Sequence, residues 1–372
     1  MIYLDANASE PLRPEARAAA LAALDVIGNP SSVHQAGRAA RRVLEGARES
    51  LAARFAARAQ DIVFTSGATE ANTLAIHALG RGRTVLIGAT EHDAVRAAAP
   101  KAVVIPVLPS GLVDLLVLDQ MLAAHPGALV CLMAANNETG VLHDIAAAAW
   151  VCAAHGALLH VDAAQAAGRC REDWLRLGAA SFALSGHKAG GPLGAGALVF
   201  SSAHGERVAP LLKGGGQERG WRGGTPGLPA IAGMAAALDQ PYETLRIAEY
   251  RDDIEAFCVD LGAQVMGADA ARLPNTVCLA LPGVRADTQL IALDMAGVAV
   301  SAGSACSSGK VAASHVLLAM GMGALAGQAI RVSLPWSATQ ADCSAFKDAY
   351  QVMASRALHH VAVPLTEARS TN

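Results

Sequence analysis

Ser185-Gly186-His187-Lys188-Ala189-Gly190-Gly191-Pro192 stands between two short apolar runs, residues 180–184 and 196–200. Both runs have strand length and end in small or turn-forming residues, so they read as buried strands and the segment between them as their connection. A lysine is out of place there, because an ammonium group prefers water. A partly sheltered amine of lowered basicity is what Schiff-base chemistry uses. Taken alone, the segment suits an ordinary hairpin turn equally well.

The same alternation continues outward. From about Gly37 to Leu238, helical runs alternate with apolar runs at 61–65, 84–88, 128–134, 157–162, 180–184 and 196–200, and apolar residues recur at helical spacing over 68–79 and 144–154. This is the pattern of an α/β domain with a mainly parallel sheet flanked by helices. A glycine-rich stretch at 213–227 and two helices follow, then a second region with strands near 275–281 and 330–335 and a closing helix over 339–358. A chain of 372 residues is too long for one core. The expected division is a large domain, residues 13–245, and a smaller α+β domain made of residues 1–12 and 246–372. Open α/β sheets bind ligands beyond the carboxyl ends of their strands, and the polar clusters of this chain fall there.

Composition narrows the function. Apolar residues form 53% of the chain and charged ones 16%, which fits a well-buried globule and excludes a disordered one. Lys and Arg number 29 against 32 Asp and Glu, with no basic stripe, so nucleic acid is not an expected partner. No basic, apolar leader opens the sequence and no apolar run approaches the ~18 residues of a membrane span. A cytoplasmic protein without a membrane partner is expected. Seven cysteines with no Cys-x-x-Cys pair argue against a zinc or disulfide framework, and no metal is expected. Cys131, Cys152, Cys258 and Cys278 sit in apolar runs as small core hydrophobes. Cys306 does not.

Four further segments carry chemistry. Asp162 ends a strand in Leu159-His160-Val161-Asp162-Ala163-Ala164-Gln165, upstream of Lys188. A strand-end acid commonly caps a helix. An acid and a lysine in this order also suit pyridoxal 5'-phosphate, whose ring nitrogen needs a carboxylate to stay protonated and so accept electrons from a substrate Cα. Thr65-Ser66-Gly67-Ala68-Thr69-Glu70 leaves a strand and enters a helix; it reads either as a phosphate cup or as a capping box. Ser301-Ala302-Gly303-Ser304-Ala305-Cys306-Ser307-Ser308-Gly309 is a small-residue loop that leaves its thiol accessible, a nucleophile once deprotonated, unless the cysteine is merely tolerated in a turn. Arg331, in Ala329-Ile330-Arg331-Val332-Ser333, needs an anionic partner, either a substrate carboxylate or a structural acid.

Together with Tyr3-Leu4-Asp5, Gly28-Asn29-Pro30-Ser31-Ser32-Val33-His34, Glu91-His92, Asn136-Asn137-Glu138-Thr139-Gly140 and Gly214-Gly215-Gly216-Gln217-Glu218-Arg219-Gly220, these segments span nearly the whole chain. In that order they resemble the fold-type I, class V aminotransferase-like enzymes, and among them the NifS/IscS-type cysteine desulfurases. The resemblance implies that Lys188 carries pyridoxal 5'-phosphate and moves protons at the substrate Cα. It implies that His92 stacks on the ring, although His92 alone suits a helix cap, and that Asp162 pairs with the ring nitrogen. Gln165 and Asn137 are placed near the phenolic oxygen and the substrate carboxylate. Ala68, Thr69, Ser185 and His187 are placed in the phosphate cup, with Thr225 reaching the phosphate of the neighbouring subunit of a homodimer. Arg331 clamps the substrate carboxylate. Cys306 receives the sulfur of L-cysteine as a persulfide, L-alanine leaves, and the sulfur passes to an acceptor protein such as an iron–sulfur scaffold.

A selenocysteine lyase, another class V enzyme such as an aminotransferase, and a catalytically silent scaffold of a sulfur pathway are the competing readings. The chain departs from the family pattern at residues 6–10, at Leu193, at Trp221 and at Pro226-Gly227. None of these touches the core chemistry. The last two bear on the contact expected of Thr225.

Overall fold

In the computed structural model, residues 1–170, 172–203, 209–303 and 312–362 are described, excepting the side chains of 358–362. They fold into two compact units, one of residues 9–137 and 141–242, the other of residues 1–8, 138–140 and 243 onward.

The larger unit is built on a seven-stranded sheet in the order Ile62–Thr65, Gly196–Phe200, Ser181–Ser185, Leu158–Asp162, Leu129–Met133, Val85–Gly88, Val103–Ile105. Gly196–Phe200 is antiparallel to both of its neighbours and the remaining pairs are parallel, so six strands run one way and one runs back. Strands covered on both faces read as continuous apolar runs rather than as alternations. That is why the runs at 128–134, 180–184 and 196–200 stand out in the sequence. The observed strands fall within a residue or so of those runs, and Ala68–Leu79 falls on its expected span. The edge strand Val103–Ile105, two of whose three residues are exposed, is too short and too open to give such a run. Asp144 precedes the helix Ile145–Ala154 and caps it, its carboxylate accepting from the Ala147 amide at 2.9 Å.

The core of this unit includes the rings of Phe55, Trp174 and Phe182, with centroids 5.1 to 5.9 Å apart. Beside it a charged pair is sealed: Arg48 donates to both carboxylate oxygens of Glu218 at 2.9 and 2.7 Å, with side chains 2% and 1% exposed. Glu218 Oε2 also accepts from the Phe64 amide at 2.8 Å. Glu218 and its neighbour Arg219 both adopt left-handed backbone conformations, φ +46° and +56°. This costs a residue with a Cβ roughly 1–2 kcal/mol. Arg48 and the Phe64 amide anchor Glu218 there, and Arg219 Nη1 donates to the carbonyls of Gln60 and Ile62 at 3.1 and 3.4 Å.

Within the smaller unit a four-stranded antiparallel sheet runs in the order Ser301–Ala302, Ala329–Ser333, Thr276–Ala280, Gln264–Val265, and Ile2–Tyr3 pairs in parallel with Val298–Ala299. Its helices include Thr244–Asp260, Ala286–Met295 and the closing Gln340–Ala362, four residues longer at its end than the sequence reading. Among the described residues no helix is long and apolar enough to cross a membrane.

Two predictions concern stability. Glu218→Gln leaves Arg48 with only the half-exposed Glu45 as a charged partner. We expect a loss of about 3 kcal/mol in urea unfolding, the low end for a broken buried pair because Glu45 remains. The second concerns His143 and His160, both buried, whose pKa values burial lowers from 6.5 to about 4 and about 3. Between pH 6.5 and those values the unfolded chain binds protons that the folded chain refuses, so stability rises with pH across the window and is lost as pH falls through it. In His160→Asn the slope of unfolding free energy against pH should be shallower by at most about 1.4 kcal/mol per pH unit, one proton's worth.

Candidate active site

Five of the six co-directional strands end at Thr65, Gly88, Met133, Asp162 and Ser185. Their carboxyl ends lie at one edge of the sheet, and the residues that follow them are those singled out by sequence: Ala68 and Thr69, His92, Asn137, Gln165, and His187 with Lys188. All belong to the larger unit.

Asp162 is the buried centre of this edge. Its Oδ2 accepts from Asn72 Nδ2 at 2.8 Å and its Oδ1 from the Ala164 amide at 3.0 Å. Burial pushes the Asp162 carboxyl above its ordinary range; the Ala164 amide, the His92 ring, Asn72 and Lys188 pull the other way without cancelling it. Glu91 beside it is fully buried and is held well above the carboxylate range, first by burial and then by Asp162. With two cationic or potentially cationic neighbours, Asp162 is the better placed of the two acids to carry charge.

Behind Asp162 runs a polar chain for which the sequence reading had no role. His160 Nε2 lies 2.8 Å from Asn72 Oδ1, and His160 Nδ1 lies 2.8 Å from Ser181 Oγ. The directions follow from the acceptor at the end. Asp162 takes a hydrogen from the Asn72 amide nitrogen, so Asn72 turns its oxygen to His160, which must donate from Nε2 and accept from Ser181 at Nδ1. The ring is therefore a neutral, single tautomer, in keeping with its pKa near 3. His160 and Asn72 are both sealed from water. Their sequence signal was thin: His160 stood within the strand motif, and Asn72 within a helix, as polar residues among apolar ones.

Lys188 closes the short 3-10 turn Gly186–Lys188, half-buried and near enough to act electrostatically on both Asp162 and His187. His187, with its ring 3.3 Å from Ser9 Oγ, is driven down to about 4 by burial and by Lys188. His92 is exposed and is the N-cap of Asp93–Ala98, its Nδ1 accepting from the Ala94 amide at 3.1 Å. The capping role thus coexists with proximity to Asp162. Asn137 is half-buried, and its neighbour Asn136 donates to the Thr90 carbonyl at 3.2 Å.

The start of the helix Ala68–Leu79 is not a standard capping box. Its N-cap is Gly67, which has no side chain to offer, and Glu70 instead reaches back to the amide and hydroxyl of Ser66 at 2.8 and 2.7 Å. Arg222 holds the other oxygen of Glu70 at 2.9 Å. Burial raises the Glu70 carboxyl, but Arg222 and Ser66 outweigh it and keep it below its usual range. The first-turn amides of Ala68 and Thr69 thereby lack a side-chain cap, which is the chemistry a phosphate group requires. Gly196 allows the approach: a Cβ there would lie 2.5 Å from the Gly67 carbonyl carbon and 2.7 Å from the Leu184 oxygen. A buried acid for a ring nitrogen, a half-buried amine and an uncapped helix start fit the donor set of pyridoxal 5'-phosphate.

The remaining candidates lie elsewhere. Thr225 is exposed. Arg331, in the smaller unit, is buried and pairs with Asp5 at 2.5 Å, so the structural acid foreseen as an alternative is present. Cys306 lies outside the described residues. The stems of its loop are described: Ser301 stands opposite Arg331 in the antiparallel ladder, and the Ser314 amide donates to the Ala326 carbonyl at 2.9 Å. Gly303 abuts Glu138 so closely that a Cβ would fall 2.1 Å from its carboxylate. Among the described residues no group of His, Cys, Asp and Glu could hold a metal.

The family profile described as aminotransferase class V matches residues 2–346. A cysteine desulfurase of Frankia sp. is 40% identical over 90% of this chain and 86% of its own length. An IscS-like cysteine desulfurase of Mycobacterium tuberculosis is 35% identical over 93% of this chain and 94% of its own. The X-ray structure of a NifS-like protein from Rickettsia africae superposes with a TM-score of 0.88 at 34% identity, covering 95% of this chain and 99% of that one. The chain belongs to the aminotransferase class V family and, within it, to the cysteine desulfurases.

Proposed function

We propose that this cysteine desulfurase takes sulfur from L-cysteine with Lys188, Asp162, His92 and Cys306 in the central roles. The observation that carries the reading is the meeting of a half-buried Lys188, a buried Asp162, His92 and an uncapped helix start along one sheet edge. The desulfurase relatives supply the substrate class.

Bound there, pyridoxal 5'-phosphate supplies an electron sink for negative charge developing at the substrate Cα. Lys188 would hold the cofactor, and its amine, once free, would take the proton from the substrate Cα and return one later. Asp162 keeps the ring nitrogen protonated, and the Asn72–His160–Ser181 chain keeps Asp162 oriented. The amides of Ala68 and Thr69, with Ser185 and His187, hold the phosphate. His92 covers the ring face. Asn137 and Arg331 bind the substrate carboxylate; for Arg331 this requires that its planar fork serve Asp5 and the substrate together. The Cys306 thiolate attacks the substrate sulfur, the Cβ–S electron pair stays on Cβ, which is then protonated, and L-alanine leaves a persulfide on Cys306. The persulfide sulfur goes to an acceptor protein, for which we favour an iron–sulfur scaffold. A cytoplasmic homodimer, with Thr225 reaching the partner's cofactor phosphate, completes the reading.

Purified protein supplied with the cofactor should absorb in the visible range, and Lys188→Ala should abolish the borohydride-reducible attachment. Cys306→Ser should keep the cofactor but fail to gain the 32-Da sulfur that mass spectrometry locates on the wild type after L-cysteine, a mass following from about one sulfur atom per thiol. Asp162→Asn should lower alanine release by about two orders of magnitude. Full sulfur transfer by the Cys306→Ser enzyme would refute the assignment.

A further inference from the structure

Three charged side chains, Glu10, Arg13 and Arg169, are buried together in the larger unit, with Tyr242 beside them. Glu10 lies in the stretch 6–10, near the start of the chain. Its Oε2 accepts from Arg169 Nη2 at 2.7 Å, with side chains 2% and 1% exposed. Drawing two charges out of water costs several kcal/mol per ion, so such a pair is an expensive way to fill space. Its other contacts suggest what it achieves.

Arg169 Nη1 donates to Gln165 twice, to the backbone oxygen at 3.0 Å and to the side-chain Oε1 at 2.7 Å. A primary amide can present either its oxygen or its nitrogen to a neighbour, and the two ends are nearly equal in shape. A guanidinium settles the choice, because it only donates; a flipped Gln165 would set two donors against each other. The same segment grips the lysine turn. Glu10 N donates to the His187 carbonyl at 2.9 Å, Arg13 N to Gly190 at 2.8 Å, and Arg13 Nε to Ala189 at 3.2 Å. One run of residues, 9–13, is thus tied to the turn carrying Lys188 and, through Arg169, to Gln165.

We propose that Arg169, held and neutralised by Glu10, is a positioning residue that fixes the Gln165 amide with its oxygen on the guanidinium and its nitrogen as a donor to the phenolic oxygen of the cofactor. This rests on the reading of Gln165 as a neighbour of that oxygen. A donor there favours the form in which the phenolic oxygen carries more negative charge, so it lowers the pH at which the bound cofactor loses its proton.

The test is a pH titration of the visible absorbance of the holoenzyme. Gln165→Leu should raise the midpoint by about one unit, the worth of one hydrogen bond to a charged group. The double variant Glu10→Gln/Arg169→Met, which leaves neither of the pair charged, should raise it in the same sense and add nothing in a Gln165→Leu background. Arg169→Lys keeps the ion pair and so keeps the fold should the double variant not fold; with a single point donor it should return only part of the wild-type midpoint. A wild-type midpoint in both Arg169 variants beside a displaced Gln165→Leu would overturn the proposal while leaving the cofactor reading intact. An unmoved Gln165→Leu, or no visible band in the wild type, would overturn both.

Discussion

A carboxylate withheld from water must be given other donors, and the larger unit is organised around doing this for Asp162. Two of its donors are an amide of the next turn and the side chain of Asn72. Asn72 has no freedom to turn away, because its oxygen is committed to His160 and His160 to Ser181. Hydrogen-bond chains of this kind in a low-dielectric interior strengthen one another when complete and are costly when broken. Burial raises the pKa of this acid, and the Ala164 amide, the His92 ring, Asn72 and Lys188 draw it back without cancelling the rise.

Two further pieces of the large unit apply the same economy of burying a charge only with its partner. Arg48 and Glu218 hold a stretch of backbone in a shape that its residues would not otherwise adopt. Glu10 and Arg169 bring a segment near the start of the chain to the lysine turn. In the smaller unit, Arg331 and Asp5 repeat the arrangement where a strand and the N-terminal segment meet. Each pair joins residues far apart in sequence.

The strands of the large unit were legible because burial on both faces leaves an apolar run as its trace; Gly196–Phe200 is such a case. Short edge pieces such as Val103–Ile105 and Val298–Ala299 leave none. Lys188 and Asp162 were legible because each is a charged residue at the end of such a run. Asn72, His160 and Arg169 were not, since a polar residue whose partners include one distant in sequence looks the same on the page as one facing solvent. The excursion of Glu138–Gly140 into the other unit has no mark in composition either. Thr65 to Glu70 was read as two possibilities, and the standard capping box is not formed: with Gly67 at the N-cap, the glutamate serves Ser66 and leaves the first amides without a side-chain cap.

His160 and Asp162 are two residues apart on a strand whose side chains alternate, and so project to the same side of the sheet, where Asn72 meets them both. In the ladder, His160 lies level with Ser181 and Asp162 with Ala183. A slip by a single position would bring Leu159 or Val161 to that side and consign both polar groups to the opposite one. Strand alignment is set during folding, long before any ligand arrives. In this chain the alignment of the strand and the assembly of the Asp162–Asn72–His160–Ser181 chain are one event, so a misregistered molecule would lose both.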